Sequence, residues 1–314
     1  MRFNSTASIE VGRDDFKSIL ESVVHDGTVV SKDIAIGEFT TLRTEGRADW
    51  FTEPKSQRDL AVLMEKCLEF DLPVTVLGLG SNFLVLDSGV RGLTVRLNDK
   101  QFSGVEVDGD RIRCGAGARM KKIATEARRN CLSGMEFLEG IPGTIGGGLR
   151  MNAGAWGGEM SQIVESINYM DMAGKVFEIG VKELHFSYRS CPLMQNHIAL
   201  EAILLGKPDD MEAISNRMAV FSSKRWDAQP KARSAGCIFK NPDSIPAGKL
   251  VDELGLKGAS EGGAMVSIEH GNFIVNKGGA TAGDFLKLIE HIRQRAYDER
   301  GIDLKTEVQI IGSV

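Results

Sequence analysis

Hydrophobic residues follow a helical spacing in three segments of the first half of the chain. Apolar side chains recur every three or four positions over residues 13–24, 59–70 and 119–131, as on a helix with one buried face. Between the second and third segments, residues 72–97 instead form short β-branched runs broken by glycines, first at Gly78 to Asn82. The pattern therefore predicts strand, tight loop, strand, turn and strand in this stretch.

Strand patterns dominate the middle of the chain. Asp108 and Gly109 separate two alternating runs within residues 105–117, which is a strong hairpin signal. Residues 167–179 give a second hairpin pattern, and residues 197–206 give a further strand. Because these strands do not alternate regularly with helices, we expect an α+β structure.

A helical pattern returns after Pro208. Three helices are predicted there, over residues 210–226, 247–258 and 284–301. Glycines end the last two of them, as is common at helix C-termini. Two short strands are predicted between these helices, within residues 262–276.

Length, charge and cysteine content narrow the class of protein. The 314 residues exceed one ordinary core, which predicts two or three domains. The formal net charge of −5 argues against a binder of nucleic acid or acidic membranes, since both need a basic surface. Five cysteines form an odd set without a C-x-x-C pair, and five histidines lack metal-ligand spacing. We therefore expect a reduced protein without a metal site.

Targeting and membrane-spanning segments are not expected. The N-terminal residues contain no apolar h-region, and no run of about 18 apolar residues occurs in the sequence. These features predict a cytoplasmic protein that does not bind a membrane.

Two glycine-rich loops are candidate ligand sites. Glycines at Gly78 and Gly80 let consecutive amides form a concave anion-binding nest, although the spacing matches neither a dinucleotide fingerprint nor a P-loop. A tight turn between core strands is the alternative. Seven glycines lie within residues 142–159, which suits close approach of the backbone to a large flat or phosphorylated ligand. The alternative for that segment is an irregular packed loop.

Several charged residues are ambiguous on their own. Arg189, predicted at a strand end, has the chemistry to stabilise a developing oxyanion but equally suits a surface salt bridge. Five basic residues against one acid lie from Lys224 to Lys240, which suits a diphosphate ligand or a solvated basic face. Glu307 lies on a β-pattern segment with Thr306, Val308 and Ile310 on the opposite face, where a carboxylate usually meets solvent. His270 and Asn272, beside an apolar strand, are similarly open.

Seven motifs taken in order resemble one enzyme family. They are "VLGLGSNFLV", "GIPGTIGGGLRMNAGAWGGE", "FSYRS", "SAGCIFKNP", "AGKLVDELGLKG", "HGNFIVN" and "TEVQIIG". The set, from about Phe39 to Gly312, is similar to the UDP-N-acetylenolpyruvoylglucosamine reductases, flavoenzymes of early peptidoglycan synthesis. The short interval from Arg189 to Pro208 resembles the shorter second type of the family, which lacks an insertion with a substrate-covering tyrosine.

The resemblance implies an FAD-binding fold of the vanillyl-alcohol-oxidase (PCMH) type, made of two α+β subdomains, with a third α+β domain that covers the substrate. The implied domains are residues 1–98 with 301–314, 99–208, and 209–300. FAD is expected to be non-covalent, and no histidine lies between His25 and His185 to form the commonest covalent link. The implied flavin-binding residues are Gly78, Gly80, Ser81, Asn82, Ile141, Pro142, Gly143, Thr144, Gly146, Gly147, Asn152, Ala153, Gly154 and Ala155.

The resemblance also implies the reaction and its residues. NADPH would reduce FAD, hydride would pass to the enolpyruvyl group of a UDP-sugar, and Arg189 and Glu307 would stabilise the resulting negative charge. Cys237 falls where most family members have a serine that protonates the adjacent carbon. A thiol, with a reference pKa of about 8.5, is a stronger acid than an alcohol and can serve.

The implied substrate-binding residues are Tyr188, Arg225, Asn241 and His270. NADPH and the UDP-sugar are the expected small-molecule partners of a protein predicted to be monomeric. Two alternatives remain: a flavin oxidase of the wider class acting on another substrate, and a nucleotide-sugar-binding protein that has lost catalysis, in which Cys237 is only a small buried hydrophobe.

Overall fold

The structure, a computed structural model, describes residues 13–25 and 27–312. Its α-helices are α1 Arg13–Val23, α2 Gln57–Glu69, α3 Lys100–Ser103, α4 Met120–Arg129, α5 Ile145–Arg150, α6 Met211–Ala228, α7 Ala247–Glu253 and α8 Ala282–Arg300. Its strands are β1 Val30–Ile34, β2 Ala48–Thr52, β3 Val74–Leu77, β4 Phe83–Val85, β5 Val90–Arg96, β6 Val105–Asp108, β7 Arg111–Gly115, β8 Leu132–Ser133, β9 Gly154–Ala155, β10 Gly158–Glu159, β11 Val164–Met170, β12 Val176–Gly180, β13 Ile198–Leu205, β14 Lys207–Pro208, β15 Arg233–Ser234, β16 Ser260–Glu261, β17 Ala264–Val266, β18 Ile274–Asn276 and β19 Gln309–Ile311. Short 3₁₀ helices lie at Ile36–Phe39, Glu136–Gly140, Met160–Gln162, Val181–Glu183 and Pro192–Gln195.

The first sheet has the order β1-β2-β5-β3. Strand β5 runs parallel to both β2 and β3, whereas β1 is antiparallel to β2. Helix α2 begins where the Ser56 side chain accepts a hydrogen bond from the amide of Asp59, an ordinary N-cap. Its apolar face, including Leu60, Leu63 and Met64, is buried in the same hydrophobic cluster as the strands.

The second sheet is antiparallel throughout, in the order β12-β11-β13-β7-β6. The predicted hairpin joins β6 to β7 through the two-residue loop Gly109–Asp110, because Asp108 still pairs with Arg111, and Gly109 has the positive φ of 59 that the first position of such a loop requires. Helix α4 packs beside the sheet, with Ile123 and Ala127 buried. Both sheets share one hydrophobic cluster.

The third sheet, in the order β15-β18-β17-β16, lies with α7 and α8. Helix α8 begins at a capping box of Thr281 and Asp284 and ends at Gly301, whose φ is 65. Phe239 and Phe285 are fully buried in a second hydrophobic cluster around these elements.

The end of the described chain returns to its N-terminal part. Strand β19 pairs in parallel with β4, with Gln309 opposite Phe83 and Ile311 opposite Val85. The predicted strand pattern around Glu307 was wrong in part, because only Gln309 to Ile311 form a strand and Ile310 is 40% exposed. Residues 306–308 instead bond to the segment that follows Cys237.

The other predicted helices and strands occur close to their expected positions. The helix predicted over residues 247–258 ends earlier, at Glu253, and α5 was not predicted because half of its residues are glycine. No helix within the described ranges is long and apolar enough to cross a membrane.

Candidate active site

A cleft of about 580 Å³ opens where the three sheets approach one another. Its walls come from β3 and the loop after it, from the glycine-rich segment around α5, and from residues 235–237 and 307–311. Its volume lies within the range of ordinary ligand pockets. Arg189, Cys237 and Glu307, which lie far apart in sequence, all line this cleft.

The two glycine-rich loops contact each other at one wall. The Ser81 hydroxyl donates a hydrogen bond of 2.5 Å to the carbonyl of Pro142. A Cβ atom at Gly78 would lie 2.7 Å from Thr144 Oγ1, too close for any side chain, so the two loops touch only because residue 78 is glycine. The loops that were predicted separately therefore form one surface.

Most of the predicted flavin-binding residues line the cleft: Gly78, Gly80, Ser81, Asn82, Ile141, Pro142, Gly143, Thr144, Gly146, Gly147, Ala153 and Gly154. Asn152 and Ala155 do not. The buried Asn152 side chain donates to the carbonyl of Ser187 over 3.2 Å and accepts from the amide of Ser161 over 3.0 Å, which ties the loop to the turn carrying Arg189. Ala155 pairs with Gly158 in the small β9–β10 hairpin.

This wall fits a flat, phosphorylated cofactor such as FAD. Gly147 is exposed at the cleft, and a Cβ atom there would meet only Thr144 Oγ1, at 3.6 Å. The amides of Leu79, Gly80 and Ser81 donate to no other described residue, so consecutive donors are available to an anion. Gly80 has a φ of 61, which favours this concave arrangement.

Arg189 enters the cleft from a tight turn, and the prediction of a strand end here was wrong. Ser187 and Ser190 exchange backbone hydrogen bonds of 2.9 and 3.1 Å, which leaves Tyr188 and Arg189 at the tip. Arg189 has a φ of 54, a costly conformation for a non-glycine residue. Such strain is common where a side chain must point at a ligand.

Glu307 pairs with Arg189 inside the cleft rather than meeting solvent. Its Oε1 atom lies 2.7 Å from Arg189 Nε, and the two side chains are 13% and 23% exposed, respectively. The Asn82 side chain donates to the backbone carbonyl of Glu307 over 3.0 Å, which ties the carboxylate to the first glycine loop. Burial raises the pKa of the Glu307 carboxyl group, although the Arg189 charge opposes this shift.

Cys237 lies beside this ion pair. It follows Gly236, whose φ is 74, and precedes the buried residues Ile238 and Phe239. Burial, supported by the negative charge of Glu307, raises the pKa of the Cys237 thiol to about 12, while the Arg189 charge acts in the opposite direction. The thiol is therefore protonated at neutral pH.

None of the four predicted substrate-binding residues lines the cleft itself. Tyr188 is 52% exposed, with the Arg189 guanidinium 5.1 Å from its ring centre. Asn241 accepts a hydrogen bond from the amide of Ala247, the first residue of α7, and His270 Nδ1 accepts one from the amide of Asn272. Arg225, on α6, has a buried Nε atom with no hydrogen-bond partner in the described part of the chain.

Some residues of the cleft were not predicted. Arg96, Arg119 and His197 contribute polar groups to its lining. Arg96 also lies 5.0 Å over the Phe39 ring, and His197 Nδ1 is 2.8 Å from the carbonyl of Leu193. The sequence around these residues predicts only strand ends and the start of a helix, and such patterns do not indicate a ligand site. Within the described residues, no group of three or more potential ligands is placed to hold a metal ion.

The cleft and its surrounding sheets define a flavoprotein with an FAD-binding fold of the PCMH type, and residues 48–180 match the family model of an FAD binding domain. Residues 229–311 match the model of the UDP-N-acetylenolpyruvoylglucosamine reductase C-terminal domain. The chain belongs to the UDP-N-acetylenolpyruvoylglucosamine reductase family.

Individual relatives cover nearly the whole chain. The family's enzyme from Paramagnetospirillum magneticum is 43% identical over 284 residues, 90% of this chain and 92% of its own length. The one from Clostridium novyi is 37% identical over 300 residues, 95% of this chain and 97% of its own. The crystal structure of the Thermus caldophilus enzyme superposes with a TM-score of 0.80 at 37% identity, covering 91% of this chain and 100% of that chain.

Proposed function

We propose that this enzyme reduces the enolpyruvyl ether of UDP-N-acetylglucosamine to UDP-N-acetylmuramate, using NADPH and non-covalently bound FAD, in the synthesis of peptidoglycan precursors. The proposal rests on one observation: Arg189, Glu307 and Cys237 line the same cleft. Another wall of this cleft is formed by the two glycine-rich loops at residues 78–82 and 141–154, called the glycine surface below. Family membership and the FAD-domain match support the same substrate and cofactor.

The reduction adds two hydrogens across a carbon–carbon double bond. FAD held by the loops at residues 78–82 and 141–154 would supply the hydride chemistry, with NADPH as the hydride source and the methylene carbon as its acceptor. The protein must then stabilise negative charge on the adjacent carbon and its carboxylate, and must deliver one proton to that carbon.

Arg189 and Glu307 are suited to the first task. The permanently charged guanidinium offers forked donors to a carboxylate, and the tight turn holds it at the cleft. Burial raises the pKa of Glu307 against the opposing Arg189 charge, so a substrate carboxylate that takes Arg189 from it would raise this pKa further and let Glu307 donate a hydrogen bond. Both roles stay predictions drawn from this geometry and from the family.

Cys237 is suited to the second task. A thiol with a pKa of about 12 keeps its proton until a far more basic carbon centre develops beside it. The thiolate left behind would lie near the Arg189 charge, and water would return its proton. A protein that only binds its ligand would not need an arginine, a carboxyl group and a thiol proton donor together in one cleft.

Tyr188, Arg225, Asn241 and His270 remain proposed substrate contacts. Arg225 has the strongest support, because burial lowers the pKa of its guanidinium and its Nε atom is unpaired. A diphosphate placed there would offset that desolvation. We also retain Asn152 and Ala155 as residues near the flavin, behind the surface that lines the cleft.

We further propose three domains, at residues 1–98 with 301–314, 99–208, and 209–300. The three sheets and the return of β19 to β4 support this division.

The protein is proposed to act as a monomer in the cytoplasm, which sedimentation of the purified protein and cell fractionation would test. Because the proposed FAD is non-covalent, denaturation in acid should release it from the protein.

An anaerobic two-step titration tests the function. One equivalent of NADPH should bleach the flavin band of the purified protein, and the UDP-enolpyruvyl substrate should then restore it. Bleaching without recovery would contradict the reductase reaction and favour a binding protein that has lost catalysis. Rapid recovery on adding oxygen, with no response to the UDP-sugar, would favour an oxidase.

A further inference from the structure

Asn272 is a buried asparagine whose side chain bonds to the backbone next to Cys237. It is only 2% exposed. Its Oδ1 atom accepts a hydrogen bond from the amide of Phe239, and its Nδ2 atom donates one to the carbonyl of the same residue, both at 2.8 Å. Its own backbone carbonyl accepts from the amide of Ile238, again at 2.8 Å. One residue thus makes three hydrogen bonds to the two residues that follow the thiol.

The opposite edge of the same segment is bonded to the chain around Glu307. The Ile238 carbonyl accepts from the amides of Glu307 and Val308 at 2.8 and 3.3 Å. Phe239 also forms a β-bridge with Thr306. The backbone after Cys237 therefore lies between Asn272 on one side and the Glu307 segment on the other.

This arrangement couples the position of the thiol to the position of the carboxylate. Gly236, which precedes Cys237, has a φ of 74, a conformation open mainly to glycine. The hydrogen bonds to Asn272 and to the Glu307 segment are made by the residues that follow the thiol, so those residues anchor it. The Asn272 side chain also lowers the pKa of Cys237 against the larger effect of burial.

We propose that Asn272 is a positioning residue for proton delivery by Cys237, because its carboxamide fixes the backbone of Ile238 and Phe239 against the Glu307 segment. The proposal rests on the proposed function for its catalytic consequence. Its structural half, that Asn272 sets the placement of the thiol, is independent of the substrate.

Asn276, the last residue of β18 and four residues further along the chain, provides a matched control. It is 9% exposed, and its Nδ2 atom donates to the carbonyl of Leu42 over 2.8 Å. Its Oδ1 atom accepts from the amides of Gly278 and Ala280. Its truncation also removes buried side-chain to backbone hydrogen bonds, but none of them reaches the Cys237 segment.

The first experiment measures placement without catalysis. In holoenzyme carrying Cys131→Ser, which removes the exposed thiol, iodoacetamide labelling of Cys237 is followed by peptide mass spectrometry. Asn272→Ala should change the labelling rate about fivefold or more, since the loss of buried hydrogen bonds loosens the segment. Asn276→Ala should label like its parent. Equal rates for Asn272→Ala and the parent would overturn the proposal.

The second experiment separates the half-reactions. Asn272→Ala should be bleached by NADPH within about twofold of the parent rate, whereas flavin reoxidation by the UDP-enolpyruvyl substrate should slow about tenfold or more, within the usual size of an acid–base effect. Equal slowing of both steps, or no slowing of reoxidation despite altered labelling, would reduce Asn272 to a structural residue and overturn the proposal. If the parent itself is not reoxidised, the proposed function fails while the labelling result still decides the placement.

Discussion

At the scale of single residues, the unusual feature is the Cys237 thiol, which lies half-buried in the wall of the cleft and is the proton donor in the proposed function. Buried cysteines are usually inert because burial disfavours the thiolate. Reactive cysteines instead have a lowered pKa, whereas the pKa of Cys237 is raised to about 12. This is the wrong direction for a nucleophile and the right one for a group that must still hold its proton when the substrate needs it.

Replacing Cys237 separates these roles. Cys237→Ser should retain turnover, because a hydroxyl can also donate a proton. Cys237→Ala should be bleached by NADPH at the parent rate but lose about 10²-fold or more in substrate-driven reoxidation, which anaerobic stopped-flow absorbance would measure. Cys131→Ala, at an exposed cysteine, serves as control. Full turnover by Cys237→Ala would contradict the assignment.

The charge of Glu307 should be visible in the titration of Cys237. The carboxylate raises the pKa of the thiol because it disfavours a second negative charge nearby. Glu307→Gln should therefore shift the pH profile of Cys237 alkylation to lower pH, whereas Glu261→Gln, at an exposed position on β16, should leave it in place. An unmoved profile in Glu307→Gln would show that burial alone sets the thiol pKa.

At the scale of elements, the glycine surface is the part of the site that the residue pattern alone predicted. Glycine density predicted close approach to a flat or phosphorylated ligand, and both loops do line the cleft. Gly147 is the position at which this can be tested with least disturbance, because a side chain there meets the cleft rather than the protein.

Gly147→Leu should give a folded protein that binds FAD more weakly. The added side chain occupies the cleft and also suits a helix better than glycine does. We expect FAD affinity to fall about tenfold or more, equivalent to about 1.4 kcal/mol, with an unchanged far-ultraviolet circular dichroism spectrum. Gly180→Leu is the control, since nothing lies within 4 Å of a Cβ atom there. Normal flavin content in Gly147→Leu would place the flavin elsewhere.

Hydrophobic periodicity predicted the long helices and the hairpins because each has one buried face. It failed where backbone hydrogen bonds, rather than buried faces, decide the path. Residues 306–308 look like a strand but bond to Ile238 and Phe239, and Arg189 lies on a two-residue turn with no periodic signal. Arg189, Cys237 and Glu307 were named by family resemblance, since no local pattern brings three such distant positions together.

At the scale of the whole molecule, the cleft lies at the junction of two hydrophobic clusters. Ala116 and Met120, from the larger cluster, and Ala235, from the smaller one, all reach its lining. The glycine-rich wall of the cleft packs on the larger cluster through Ile145 and Leu149, and Cys237 lies between Ala235 and Ile238 of the smaller one. Global stability and site geometry are therefore connected, and a titratable group buried in either cluster should affect both.

Cys67 makes this connection measurable through alkaline unfolding. It is buried in the larger cluster, and burial raises the pKa of its thiol from 9.0 to about 12. A folded-state pKa above the unfolded value contributes stability that is complete below pH 9 and is lost as the pH rises towards 12. Between pH 8 and 10.5 this loss is about 2 kcal/mol in the free energy of unfolding.

Cys67→Ala removes the titrating group, so its deficit relative to the parent protein in urea unfolding should narrow by that amount as the pH rises from 8 to 10.5. Met64→Ala opens a cavity in the same helix and cluster without removing a titratable group, and its deficit should stay constant. A deficit of Cys67→Ala that does not change with pH would mean that the thiol ionises without unfolding. The larger cluster, and with it the glycine-rich wall of the cleft, would then open locally at alkaline pH before the molecule unfolds.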